Sequence, residues 1–332
     1  MSDALAALKQ QIGSATDLQS IVRTMRALAA SSIHQYEQAV LALAEYQQAV
    51  NLGLGACFNR SAPDAPSPPV RRSSGSIAAI VFGSDQGLVG QFNEVIVAHA
   101  VQALARIDGA HVVWAVGERG ATRLRDAGIA FVEVYPVPTS VEGIAPLIEQ
   151  IQFDIGTHPA QIAAPHAHLF YNRPLSRILY EPVQRRLLPL DETWRAQCRN
   201  TVWPTNRRPE VMGQGSQALR ALIREHLYIT VYRACAESLA SENASRLAAM
   251  ERADKNIEEM LATLQRRLHG QRQRAIDDEL FDVVAGYEAL SGVRSASAAG
   301  PASPAPIVKA CPVAACGPAV GSARRSGAAP LR

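Results

Sequence analysis

The sequence predicts an α/β protein in which two long terminal helices flank a parallel sheet domain, and three observations carry that prediction. From Ser216 to about Ser291 there is no proline, and apolar residues recur at alternating three- and four-residue steps, as Leu247, Met250, Ala253, Ile257, Leu261, Leu264 and Leu268, then Ile276, Leu280, Val283, Tyr287 and Leu290. That is a coiled-coil seam. At 1.5 Å per residue the segment runs roughly 110 Å, several times the span of a small domain, so much of it must pack outside its own domain as a shaft. Residues 3 to about 57 also lack proline and show Leu18, Ile21, Met25, Leu28, Ser32, Ala39, Leu43, Tyr46 and Val50 near a seven-residue repeat, among small residues that permit close helix approach. Between the two, short apolar runs alternate with amphipathic stretches.

Taken in order, residues 1–58 form the N-terminal helix, and 59–76, which holds four prolines and several serines, forms a linker or loop. Residues 77–212 form the α/β domain. Its strands are expected at Ile77–Phe82, Val112–Val116, Phe131–Val137 and His168–Tyr171, with helices at Asn93–Ile107, Arg119–Ala127 and Val141–Ile155. Strands separated by helices imply a parallel sheet. Residues 213–292 form the second long helix. The remainder, 293–332, rich in Ala, Pro, Ser and Gly, is too poor in core-forming residues to order by itself.

Composition narrows the function classes. With 332 residues, 48% hydrophobic and 19% charged, the chain holds a sizeable core. It shows neither a signal-like leader nor eighteen consecutive apolar residues, so it is expected to be cytosolic, with any membrane association made through a partner. The net charge of +3 comes from the last forty residues, where Arg294, Lys309, Arg324, Arg325 and Arg332 meet no acid; the body carries −2. Arg266, Arg267, Arg272 and Arg274 sit among Glu and Asp on a helix, the pattern of a solvated helix face rather than a nucleic-acid surface. Cys57, Cys198, Cys235, Cys311 and Cys316 are scattered and lack histidines at ligand spacing, so neither a zinc site nor a disulfide framework is expected.

The sharpest local motif is GSDQGLVGQFN, residues 83–93, after a predicted strand and opening a helix. Such a turn can offer backbone N–H groups to a phosphate. Gly87 and Gly90 nevertheless lack the third glycine of a dinucleotide fingerprint, and Gln91 stands where a nucleotide loop needs Lys followed by Ser or Thr. A structural turn and interface contact is the favoured reading. His158, His166 and His168 have no carboxylates or cysteines at useful spacing, and the acids Asp277, Asp278, Glu279 and Asp282 fit a solvated or partner-paired helix face better than an acid/base pair. No catalytic, cofactor-binding or metal-binding residues are assigned.

Several segments together resemble the gamma subunit of rotary F-type ATP synthase, over nearly the whole chain to about Leu290. ESLASENASRLAAMERADKN (237–256) is similar to the family's most recognisable stretch, and RQRAIDDELFDVVAGYEAL (272–290) to its final helix. SDQGLVGQFN resembles its Ser-Asp-x-Gly-Leu-x-Gly-x-x-Asn turn, VGERG (116–120), YNRPLS (171–176) and RLLPL (186–190) its later sheet motifs, and IVRTMRALAAS (21–31) its first amphipathic stretch. Ser32, Val89, His269 and Asp277 depart from the family pattern, and 192–212 scarcely matches. With the added tail, these departures suggest a divergent paralogue from an alternative ATP synthase operon.

The resemblance implies an antiparallel coiled coil of the terminal helices with an inserted Rossmann-like domain, acting as the central rotor that couples H+ or Na+ flow through a membrane c ring to ATP synthesis or hydrolysis on other subunits. It implies α and β subunits, the ε subunit and the c ring as partners, no catalysis or cofactor of its own, and a peripheral place on the cytoplasmic face of the bacterial inner membrane. It places Met25 and Arg26 near the swinging parts of the β subunits, gives Arg246, Arg272, Gln273 and Glu279 polar contacts with partners, and makes Leu280, Val283, Tyr287 and Leu290 an apolar tip. A nucleotide-binding α/β enzyme and a non-rotary coiled-coil scaffold remain as alternatives.

Overall fold

The computed structural model describes residues 2–60, 76–107, 109–157, 166–175, 180–207, 209–211 and 215–296. They form, in order, α1 (Ser2–Arg60), β1 (Ile77–Phe82), α2 (Phe92–Leu104), β2 (His111–Val116), α3 (Glu118–Asp126), β3 (Glu133–Tyr135), α4 (Ile144–Thr157), β4 (His166–Pro174), β5 (Tyr180–Leu188), α5 (Glu192–Arg199) and α6 (Gly215–Ala296). The chain divides into two compact units, Met1–Gln271 and Arg272–Arg332. Residues 61–75 of the expected linker, His158, and the tail beyond 296 lie outside the described residues. Asn59 and Arg60 were expected in the linker but continue α1, where Asn59 donates to the Arg199 carbonyl and Arg60 to that of Val211.

In the first unit the strands form one sheet in the order β3-β2-β1-β4-β5. β1 pairs in parallel with β2 and β4, and β2 with β3. All six residues of β1 are buried, as a central strand covered on both faces requires. The sheet is not wholly parallel. β5 runs antiparallel to β4, and the sequence reading missed it because YEPVQRRLL carries a proline and two arginines. Those residues suit an edge strand, where an N–H can be spared and charge blocks further pairing. β3 is shorter than expected and β4 longer.

Period two assigns the faces of β1. Ala79 and Val81 point toward α2 and α3, meeting Ile96, Val97, Ala100, Ala121 and Leu124. Ala78, Ile80 and Phe82 point the other way, onto Ile144, Ile148 and Ile151 of α4 and onto Val231, Cys235, Leu239 and Ala240 of α6. The long C-terminal helix is therefore also a layer of the sheet domain. Tyr36 of α1 joins the same core.

α1 and α6 run antiparallel, since Leu222 of α6 lies against Gly53 of α1 while Asp254 meets Gln19. Near one end Val50, Leu54 and Phe58 pack with Ile229, and with Trp194 and Cys198 of α5. Near the other, Val22 meets Met250 and Ile257. On α6 the expected seam positions from Leu247 to Leu268 are buried or half-buried, whereas Ile276, Leu280, Val283 and Tyr287, expected to continue the seam, are exposed, and on α1 the seam is offset from the expected stripe. Ala15, Val22, Ala29, Tyr36 and Val50 face inward, whereas Leu18, Ile21 and Leu28 are 51%, 57% and 64% exposed. Small Ala15 and Ala29 let the helices approach closely, so the larger side chains mark the exposed flank beside the seam.

Candidate functional site

The seam holds a polar cluster that the apolar periodicity does not announce. Asp254, 7% exposed, accepts from Gln19 Nε2 at 3.1 Å, Arg23 Nε at 3.2 Å and Arg26 Nη1 at 3.1 Å, while Arg23 Nη2 also reaches Glu258 at 3.3 Å. Residues 19, 23 and 26 share one face of α1, so three donors converge on one carboxylate. Burial alone would push that carboxyl up, but the Gln19 amide and the guanidiniums of Arg23 and Arg26 outweigh it and hold it below the usual range.

One stretch further along the seam, Met25, Leu28, Ser32, Tyr36, Asp85, Pro138, Glu242 and Arg246 line a cavity of about 340 Å³. Arg246 is directed inward, its Nη2 to Glu242 at 2.6 Å and its Nη1 to Asn243 at 3.1 Å, with side-chain exposures of 13% for Arg246 and 6% for Glu242. Desolvation lifts the Glu242 carboxyl above its ordinary value even against the pull of Arg246. The Tyr36 hydroxyl is pushed up to about 12, first by burial and then by the charges of Cys235 and Glu242.

Residues 83–93 occupy the C-terminal end of β1, beside β4, at the position where doubly wound sheets open a crevice for ligands. Here internal bonds close that crevice. Asn93 accepts from Ser84 N at 3.0 Å and donates to Ser84 Oγ at 2.8 Å. Asp85 accepts from Glu118 N at 2.9 Å, at the start of α3, and from Val137 N at 2.8 Å. Asn172 on β4 donates to the Phe92 carbonyl at 3.0 Å and accepts from Ser241 of α6 at 3.0 Å, and Ser245 of α6 donates to the Val89 carbonyl. Leu88 and Gly90 adopt positive φ, 62° and 58°, to turn the chain tightly enough for that contact. The loop works as a clip between sheet and helix, and the N–H groups of Ser84 and Glu118 that could have met a phosphate are already engaged.

The expected partner-facing residues thus fall into different settings. Met25 is half-buried at the seam, Arg26 is half-buried and tied to Asp254, and Arg246 is enclosed in its own chain. In the second unit, Arg272, Gln273 and Glu279 are exposed, as are Leu280, Val283 and Tyr287 at 61%, 70% and 73%; the side chain of Leu290 lies outside those described. Ile276 and Phe281 add to this apolar surface at 58% and 69%. Gln19, Arg23, Asp254, Asn93, Asn172, Ser241 and Ser245 were not singled out from sequence, although Asp254 gives a signal by standing in the heptad position that Leu247, Leu261 and Leu268 otherwise fill. Among the described residues no helix is long and apolar enough to cross a membrane, and no group of His, Cys, Asp and Glu is arranged to hold a metal ion.

A family model described as ATP synthase matches residues 4–290. An ATP synthase gamma chain of Streptomyces coelicolor is 28% identical over 310 residues, covering 90% of this chain and 99% of that one, and a gamma chain of Moorella thermoacetica is 27% identical over 285 residues, covering 85% and 98%. Among solved structures, the fold is similar to a chain of the Euglena gracilis mitochondrial ATP synthase OSCP/F1/c-ring assembly, at 16% identity with a TM-score of 0.59 over 90% of this chain and 98% of that one. A chain of the Euglena gracilis rotor gives 15% identity and a TM-score of 0.55, over 83% and 100%.

Proposed function

The chain belongs to the ATP synthase family as a gamma chain, the central-stalk subunit of the F-type enzyme, and from that premise we propose that it is the turning shaft that couples ion flow through a membrane c ring to ATP synthesis or hydrolysis on surrounding α and β subunits. The observation that carries this reading is the double use of α6. Residues 231–240 form a layer of the sheet domain, and residues 250–261 of the same helix form the seam with α1. Torque applied to the sheet domain therefore enters the coiled coil through continuous helix, and the clip at 83–93 supplies a second connection through Ser241 and Ser245.

A shaft of this kind has different sides. Its outer α1 face carries Leu18, Ile21 and Leu28, and other faces carry charge, so three otherwise equivalent partners around it meet different surfaces and adopt different affinities for nucleotide. Turning the shaft exchanges those surfaces in sequence. Met25 and Arg26 sit at the edge of this outer face, where they can meet the moving segments of the β subunits. Arg272, Gln273 and Glu279 make polar contacts with the surrounding ring, and Leu280, Val283, Tyr287 and Leu290 form an apolar bearing, since directional hydrogen bonds would trap one angle. The sheet domain is the foot that meets the ε subunit and the c ring, and the subunit holds the cytoplasmic face of the inner membrane through them. Hydrolysis takes place on the other subunits and not on this one.

Co-expression with α and β subunits tests this. A complex whose ATPase activity depends on this chain supports the reading; a chain that stays apart from both subunits and binds ATP stoichiometrically by itself would instead identify a nucleotide-binding enzyme.

A further inference from the structure

We infer that Asp254, clasped by Gln19, Arg23 and Arg26, is the register lock of the coiled coil, holding α1 and α6 at one longitudinal offset. The apolar pattern alone does not fix that offset. On α6, positions 247, 254, 261 and 268 are Leu, Asp, Leu and Leu, and positions 250, 257 and 264 are Met, Ile and Leu. On α1, the facing positions 15, 22 and 29 are Ala, Val and Ala, and 12, 19, 26 and 33 are Ile, Gln, Arg and Ile. Over the stretch of α1 from Ile12 to Ile33, a slip of one heptad, about 10 Å along the axis, would replace apolar contacts with others of nearly the same kind.

It would not preserve the clasp. Asp254 is 7% exposed and Gln19 8%, so both depend on protein partners, and the three donors occupy 19, 23 and 26 only. Slipping one way sets Asp254 against Ile12, Thr16 and Gln19, and the other way against Arg26, Ala30 and Ile33, in each case stripping two of the three donors from a buried charge. One polar residue at a seam position is enough to select a register in coiled coils. Arg23 and Arg26 keep side-chain exposures of 50% and 43%, so they can return to water when the aspartate is removed. Asp254 is thus the member of the cluster whose loss frees the register without burying a new charge.

The lock rests on the seam geometry, and its consequence for coupling rests on the function proposed above. A shaft whose helices can slip absorbs part of each turn as sliding.

The test uses the full chain with spin labels at exposed Ala27 and Glu251, read by pulsed dipolar spectroscopy, together with ions pumped per ATP in the membrane-reconstituted complex. The native chain should give one narrow distance. Asp254→Leu, and independently the double variant Q19L/R26L, should stay folded and helical but add a second distance population, and their complexes should lose at least about half of their pumping per ATP at high load while hydrolysis continues. Glu258→Gln, which leaves the clasp intact, should keep the single distance. An unchanged single distance in both D254L and Q19L/R26L overturns the lock. A second distance population accompanied by native pumping overturns its role in coupling, whereas a native complex that hydrolyses ATP without pumping refutes the proposed function and leaves the lock standing.

Discussion

Replacing Gly83 with alanine should be far more damaging than its conservative chemistry suggests, because no side chain fits where β1 passes α3. A Cβ at that position would lie 2.7 Å from Gly120 Cα, 3.2 Å from Gly120 N and 3.0 Å from Asn93 Oδ1. Carbon atoms are comfortable at about 3.5–4.0 Å, so the start of α3 must retreat by close to an ångström, and it is backbone that must move. Asn93 would be displaced as well, and with it the bond that satisfies the buried Ser84 N–H. Overpacking of this sort costs about 1–3 kcal/mol, and a stranded buried donor about 1–3 kcal/mol more. The expected loss is about 2–6 kcal/mol, a large share of the roughly 5–15 kcal/mol that typically separates folded from unfolded states. The control is Gly87→Ala in the same loop, where a Cβ would meet nothing within 4 Å and stability should stay within about 0.5 kcal/mol of native. Urea unfolding followed by tryptophan fluorescence, to which Trp114 contributes from the middle of β2, reads the difference. If G83A and G87A unfold at the same urea concentration as the native chain, the close approach of β1 and α3 is not the constraint described here.

Three further perturbations follow from the seam and its cavity. Met25→Lys adds a charge at the edge of the outer α1 face and should lower ions pumped per ATP more than it lowers assembly, because the new contacts would differ with rotor angle; native pumping would remove Met25 from the moving interface. Arg246→Ala leaves Glu242 buried without its partner and should cost about 3–5 kcal/mol near pH 8; the loss should shrink toward pH 5, where Glu242, already raised, can take up a proton, and a pH-independent loss in equilibrium unfolding would contradict this. The pH–stability curve should fall at both ends. The Asp254 carboxyl is depressed on folding, so its stabilisation is present above the unfolded value near 3.9 and disappears as pH falls through the folded value. The Tyr36 hydroxyl is raised to about 12, so its stabilisation is complete below the unfolded value near 10 and is lost as pH climbs toward 12, by about 2–3 kcal/mol. Asp254→Asn should flatten the acid limb and Tyr36→Phe the alkaline limb, and unchanged limbs would show that these groups do not titrate as the geometry requires.

Element types were legible wherever one period dominated. β1 was read to its exact ends because an unbroken apolar run can only be a covered strand here, and α6 was read as a long helix because its three- and four-residue steps persist through Leu268, although it runs to Ala296, four residues into the stretch expected to be tail. The register of α1 was not. Its sequence carries two stripes, and side-chain size pointed to Leu18, Ile21 and Leu28, whereas close packing selected Ala15, Val22 and Ala29. β5 escaped because an edge strand obeys edge rules, with charge and proline outweighing propensity. The polar contacts of the site were the least legible, since they join residues such as Gln19 and Asp254 that are 235 positions apart. Asp85, Asn93 and Ser245 belong to motifs that were quoted for their resemblance, but their work as a clip depends on β1, β4 and α6 meeting at one edge of the sheet, which no local pattern encodes.

The most direct measurement of the central claim is rotation itself. With the α and β subunits fixed to a surface and a bead attached to the sheet domain of this chain, addition of ATP should produce stepwise turning in a single direction, and the turning should stop when ATP is withdrawn. A complex that hydrolyses ATP while the bead remains stationary would show that the chain is a fixed scaffold and not a shaft.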